Sequence, residues 1–199
     1  KPFSLQVSPF VGTEEGRQKS LAFVGRSSLK NESLLSEALT HPSVDGMPSY
    51  QKLEWVGDAV LSLAVRNLLN KEFPTTPVGI LNLFEVAIVN NETLSYLAVR
   101  SGLHSGAICY DSCELREGID FFLKRVEKTC GLWGSSAPKC LADVTESLIG
   151  AVHLDGGWKE SEGTATYIIN RLVRAIKANT TVGTLKATAF SLMHPKQQM

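Results

Sequence analysis

The chain has 199 residues, 43% hydrophobic and 20% charged, with 20 basic and 20 acidic residues and a net charge of zero. A chain this long buries roughly 70% of its unfolded surface as one domain with some tail. The composition is too apolar for a disordered polymer, and no run reaches the ~18 apolar residues of a membrane span. It therefore excludes a membrane protein, a collagen, a coiled coil and a disulfide mini-protein. Charge is unevenly spread: residues 1–155 balance at −4 and residues 156–199 at +4. An acidic body is a poor phosphate-binding surface unless something offsets its charge, and metal cations are one candidate.

Residues 1–18 hold no sustained period and are expected to form a loose arm. A folded domain is expected over 19–178. Asn31 or Ser33 can cap a helix through Leu34, Leu35, Ala38 and Leu39 that Pro42 ends. A loop with Gly46 and Pro48 follows. The next helix is predicted over 50–73 and is stopped by Pro74. Further helices are predicted over 80–89, from Asn91 to a stop at Gly102, and from Asp111 or Ser112 to Gly131. After a loop over 134–138, two more run over 139–154 and 158–177. Residues 179–199 read as a linker. No alternating strand is found, so the expected class is all-α.

Cys109, Cys113, Cys130 and Cys140 form no CxxC pair and have no histidine at zinc-ligand spacing. Reduced thiols in an intracellular protein are the plain expectation, ahead of disulfides or zinc. Nucleus and cytoplasm fit best, and an organelle stays open. Lys1 in place of an initiator Met, with no signal pattern behind it, is expected of a fragment.

Two helices break the rule that a buried helix is apolar. From Leu53 to Leu69 one is apolar on nearly every face, which marks it as buried. Yet Glu54 and Asp58 sit four apart, one turn from each other. The second runs Leu141-Ala-Asp-Val-Thr-Glu-Ser-Leu-Ile-Gly-Ala-Val152 and carries Asp143 and Glu146 on one face. Like charges side by side in a buried helix are costly unless neutralised. A salt bridge to Lys or Arg, or a face open to solvent, is the plain alternative. Gly57 and Gly150 lie beside these carboxylates and would let the two helices approach closely. Four carboxylates on two facing helices make an oxygen-rich cage suited to Mg²⁺ or Mn²⁺. Such ions assist phosphodiester hydrolysis.

The same residues carry a resemblance. Lys52-Leu53-Glu54-Trp55-Val56-Gly57-Asp58-Ala59-Val60-Leu61 resembles the signature helix of the ribonuclease III family. Ala38-Leu-Thr-His-Pro-Ser43, Val89-Asn-Asn-Glu-Thr-Leu94 and Leu141–Ala151 fit the family in order. Together they cover about residues 21–176. Gln51 and Pro138-Lys139 are most similar to the second ribonuclease III domain of Dicer-type enzymes, and the whole to short plant ribonuclease III-like proteins.

The resemblance implies the helical endonuclease fold of that family. It implies that Glu54, Asp58, Asp143 and Glu146 bind Mg²⁺ and position the attacking water. It also implies a homodimer that cuts double-stranded RNA, leaving 5′-phosphates and short 3′ overhangs. The alternative is a member that has lost cleavage and only holds RNA in splicing or ribosome assembly, but such members usually lack one or more of the four carboxylates, and this chain keeps all four. Trp55 is either a core aromatic or, as the resemblance implies, a knob entering the partner subunit. Lys139 is a surface charge or a group that holds a phosphate or water near the site. His41 and His153 are expected to be satisfied structural histidines rather than ligands.

Three positions depart from the bacterial pattern. Gln51 replaces Glu, though it can still hydrogen-bond a bound water. Val78 replaces an acidic residue, and Glu85 stands where a basic residue is expected. The basic segment after Trp158 and the ending His194-Pro-Lys196 look like the lead-in to a double-stranded RNA-binding domain outside this chain.

Overall fold

A computed structural model describes residues 12–128 and 137–179. The described residues form helices only: α1 (Glu14–Phe23), α2 (Glu32–Ala38), α3 (Gln51–Glu72), α4 (Val78–Val89), α5 (Asn91–Arg100), α6 (Cys113–Lys128), α7 (Lys139–Gly156) and α8 (Trp158–Asn179). The all-α class is as expected, and α3, α7 and α8 begin within a residue of the positions read from the sequence. No described helix is long and apolar enough to cross a membrane. The loop expected over 134–138 lies mostly outside the described residues, as do Cys130, Gly131 and residues 180–199.

The architecture is built around α7. Every residue from Cys140 to Val152 is buried, so α7 is a central rod wrapped by α2, α3, α5 and α8. A rod apolar all round needs neighbours on every side. Its buried hydroxyls are hydrogen-bonded. Ser147 Oγ donates to the Ala38 carbonyl at 2.7 Å, and Thr145 Oγ1 donates to Leu141 O at 3.2 Å. Asp155, near the end of α7, accepts from the backbone N–H groups of Lys30 and Asn31 and anchors the start of α2.

The expected loose arm is corrected in part. Thr13 caps α1 by accepting from Gly16 N at 3.0 Å, and the helix starts at Glu14 rather than after residue 18. Polar residues Glu14 to Lys19 hide this helix from any apolar period. Tertiary packing fixes it instead. A Cβ on Gly16 would lie 2.0 Å from the carbonyl oxygen of Gly106, so only glycine lets α1 press onto that loop.

Short backbone links deliver the chain to the start of α3. His41 N donates to Cys109 O and Cys109 N donates to Leu39 O, each at 2.8 Å. Tyr50 N then donates to Thr40 O at 2.9 Å. These bonds hold the segment after α2 and seat Tyr50 immediately before α3.

Candidate active site

The two helices with misplaced carboxylates cross at two glycines. A Cβ on Gly57 would stand 1.8 Å from the carbonyl oxygen of Glu146, and one on Gly150 would stand 2.1 Å from that of Leu53. Backbone therefore touches backbone, and the first turns of α3 are brought against the first half of α7. Glu54 lies in the first turn of α3, where the exposed N–H groups favour a negative charge.

Glu54, Asp143 and Glu146 converge. One carboxylate oxygen from each lies within 4.8 Å of the others. Asp143 and Glu146 are only 4% and 8% exposed. Asp58 was expected in the same set, but it lies past the glycine crossing on the exposed side of α3 and stays outside the triad. Its charge still acts on Glu146.

Burial first, then the negative charges of Asp58, Asp143 and Glu54, push the Glu146 carboxyl from 4.5 up to about 8. Burial also raises Asp143, with Lys139 offsetting part of the effect and Glu54 adding to it. Cys140 is pushed up to about 12 by burial and by Asp143.

Lys139 answers the charge. Its Nζ lies 2.6 Å from Glu54 Oε1 and also pairs with Asp143 Oδ1. Burial works against its charge, but the bonds to Asp143 and Glu54 win and hold it well above the ordinary lysine range. An ammonium bridging two carboxylates occupies the place of a cation. Three carboxylates, two of them buried, with one cationic stand-in already between them fit a small hard divalent ion.

Tyr50 is the participant that sequence reasoning missed. Its hydroxyl donates to Asp143 Oδ2 at 3.0 Å, inside the core. Burial, with Asp143 and other negative neighbours, drives the phenol far above its ordinary range, so it stays a donor. A tyrosine just before an apolar helix reads as a core aromatic, and its partner lies 93 residues away.

The remaining expectations fall out differently. Gln51 is exposed and, among the described residues, its side chain meets Ser49 Oγ at 3.4 Å rather than the carboxylates. Trp55 is 80% exposed and so is not a core aromatic; it shares the outer face of α3 with exposed Leu63. Val78 is exposed as well. Glu85 is buried and accepts from Arg66 Nε at 2.8 Å, so its unexpected sign is matched by a cation on α3. His41 Nδ1 lies 2.9 Å from Ser43 Oγ and His153 Nδ1 lies 3.0 Å from Ser161 Oγ; neither belongs to the carboxylate set. The described cysteines, Cys109, Cys113 and Cys140, are free.

Comparison with known proteins decides what this framework is. The family model of the ribonuclease III domain matches residues 51–157, which include the signature helix and the whole of α7. The chain belongs to the ribonuclease III family. It is 36% identical over 157 residues to ribonuclease 3-like protein 2 of Arabidopsis thaliana, covering 76% of this chain and 39% of that protein. To endoribonuclease Dicer homolog 1 of the same plant it is 36% identical over 162 residues, 74% of this chain and 8% of that one. Ribonuclease 3 of Nitrosomonas europaea is 33% identical over 153 residues, 77% of this chain and 56% of that protein. The chain thus spans less than two thirds of the length of these relatives. The crystal structure of the ribonuclease III nuclease domain of Campylobacter jejuni superposes with a TM-score of 0.60 at 26% identity. It covers 78% of this chain and 94% of that one.

Proposed function

We propose that this ribonuclease III domain is a metal-dependent endoribonuclease that cleaves double-stranded RNA, leaving 5′-phosphates and short 3′ overhangs. The observation that carries the reading is the convergence of Glu54, Asp143 and Glu146 around one point, with an ammonium already bridging two of them. Glu54, Asp143 and Glu146 would hold Mg²⁺ or Mn²⁺, and Asp58 would add negative charge at the open edge. The ion supplies Lewis acidity to activate water and to stabilise charge on the leaving oxygen. Lys139 holds Glu54 and Asp143 together before the ion arrives. The rival reading, an RNA-holding module without cleavage, is not favoured because all four family carboxylates are present.

The working unit is a homodimer. Trp55 and Leu63 leave apolar surface on α3 beside the carboxylates, which suits a partner helix. The Campylobacter jejuni nuclease domain has a region involved in dimer formation. Free thiols at Cys109, Cys113 and Cys140 suit a reducing compartment, nucleus or cytoplasm.

The test is incubation of a long RNA duplex with the protein and Mg²⁺, followed by analysis of the ends. Double-strand cuts with ligatable 5′-phosphates are expected. An RNA that is bound but never cut overturns the proposal in favour of the module.

A further inference from the structure

We infer that Tyr50 is a positioning residue of the carboxylate cluster: it ties Asp143 Oδ2 so that Oδ1 alone is offered to the cation. This rests on the proposed metal reading of the site.

The two oxygens of Asp143 have different duties. Oδ1 faces Lys139 Nζ, which also holds Glu54. Oδ2 accepts the Tyr50 hydroxyl at 3.0 Å. The terminal torsion of an aspartate is broad, so without a second tether the carboxylate can roll and exchange its oxygens. A tether is useful only if it is itself fixed, and Tyr50 is fixed on several sides. Its side chain is buried. Its N–H donates to Thr40 O at 2.9 Å, and its carbonyl accepts from Glu54 N at 2.8 Å.

The ring stands edge-on to His41, with centroids 5.7 Å apart and planes at 72°. His41 is locked in turn, since Ser43 N donates to its Nδ1 at 3.0 Å and Asp111 N donates to Ser43 Oγ at 2.9 Å. The segment from Thr40 to Ser43 thereby reaches the site through the Tyr50 hydroxyl. One residue, Tyr50, links the backbone at the start of α3, which carries Glu54, to a carboxylate on α7.

The consequence is a preference among ions. A carboxylate with one oxygen tied is a one-oxygen donor. Mg²⁺ and Mn²⁺ favour compact, near-octahedral shells, whereas Ca²⁺ accepts carboxylates through both oxygens and tolerates irregular shells. A fixed Asp143 favours the smaller ions. Groups that orient metal ligands typically contribute tenfold to a hundredfold in affinity.

The experiment compares the full chain with Tyr50→Phe, which removes only the hydroxyl and keeps the ring against His41. Mn²⁺ and Ca²⁺ binding are measured by calorimetry, with thermal melts in EDTA. Tyr50→Phe is expected to weaken Mn²⁺ about tenfold and Ca²⁺ much less, so that selectivity narrows. The Mg²⁺ concentration for half-maximal cleavage should rise while kcat at saturating metal changes little. In an Asp143→Asn background, where no carboxylate remains to be oriented, Tyr50→Phe should change Mn²⁺ affinity no further.

Equal Mn²⁺ affinity in the two proteins overturns the inference. So does equal weakening of both ions with a lower melt in EDTA, the mark of a merely structural role. Additive effects of the two substitutions also overturn it. Failure of the unsubstituted chain to bind Mn²⁺ at all removes the metal reading itself, a different result.

Discussion

Replacing Glu146 with Gln should stabilise the metal-free protein, and only at high pH. The Glu146 carboxyl is raised from 4.5 to about 8, first by burial and then by Asp58, Asp143 and Glu54. The folded state therefore holds this proton more tightly than the unfolded chain does. The sign follows from linkage: the contribution is fully present below about pH 4.5 and is lost as pH rises through about 8. At about 1.4 kcal/mol per pH unit, the gap caps the loss at roughly 5 kcal/mol. Water entry and side-chain movement bring the expected figure to about 1–3 kcal/mol. In a domain of this size that is a difference of roughly 3–10 °C in Tm.

Gln keeps the shape and never ionises. In EDTA at about pH 9, Glu146→Gln should melt several degrees above the unsubstituted protein, and near pH 5 the two should coincide. Saturating Mg²⁺ should reverse the order, because binding stabilises only the protein with the better site. Differential scanning calorimetry across pH, with EDTA and with Mg²⁺, reads all of this. A Tm difference that does not change with pH, or a variant less stable at high pH in EDTA, would refute the reasoning.

Gly57→Ala should cost at least about 3 kcal/mol by urea denaturation, because the new Cβ would fall 1.8 Å from the Glu146 carbonyl oxygen and force α3 off α7. Arg66→Ala should lower the urea midpoint, because it strands Glu85, whose side chain is only 10% exposed. Glu85→Gln in that background should recover part of the loss. Trp55→Glu should shift sedimentation from dimer to monomer without lowering the monomer Tm, since the side chain is 80% exposed in a single chain. A variant that remains dimeric would remove Trp55 from the interface.

How much of this was legible in the sequence depends on which residue needed which partner. The anomaly of Glu54, Asp143 and Glu146 was visible because carboxylates on apolar helices are conspicuous along one chain. The close approach at Gly57 and Gly150 was visible for the same reason, as small residues beside charges. Asp58 returns to the face of Glu54 four residues on; it is exposed and outside the three-oxygen cluster, yet after burial its charge is the first to act on Glu146. Spacing along one helix cannot say where a second helix crosses it. Glu85 looked unexplained until Arg66, 19 residues earlier, appeared opposite it. Helix α1 was read as an arm because its face is polar and its support is the Gly106 loop, 90 residues away in sequence. Tyr50 carried no signal, because a hydroxyl on a core aromatic reveals nothing until its acceptor is seen.

The most direct test of the central claim is cleavage of a uniform long RNA duplex by the unsubstituted protein and by Glu146→Gln, each in saturating Mg²⁺ and in EDTA, with melts confirming that both are folded. The account predicts cutting by the unsubstituted protein in Mg²⁺ only, and a loss of at least about a hundredfold in the variant. Cleavage by a folded Glu146→Gln protein at the unsubstituted rate, or cutting that persists in EDTA, would contradict the proposed site.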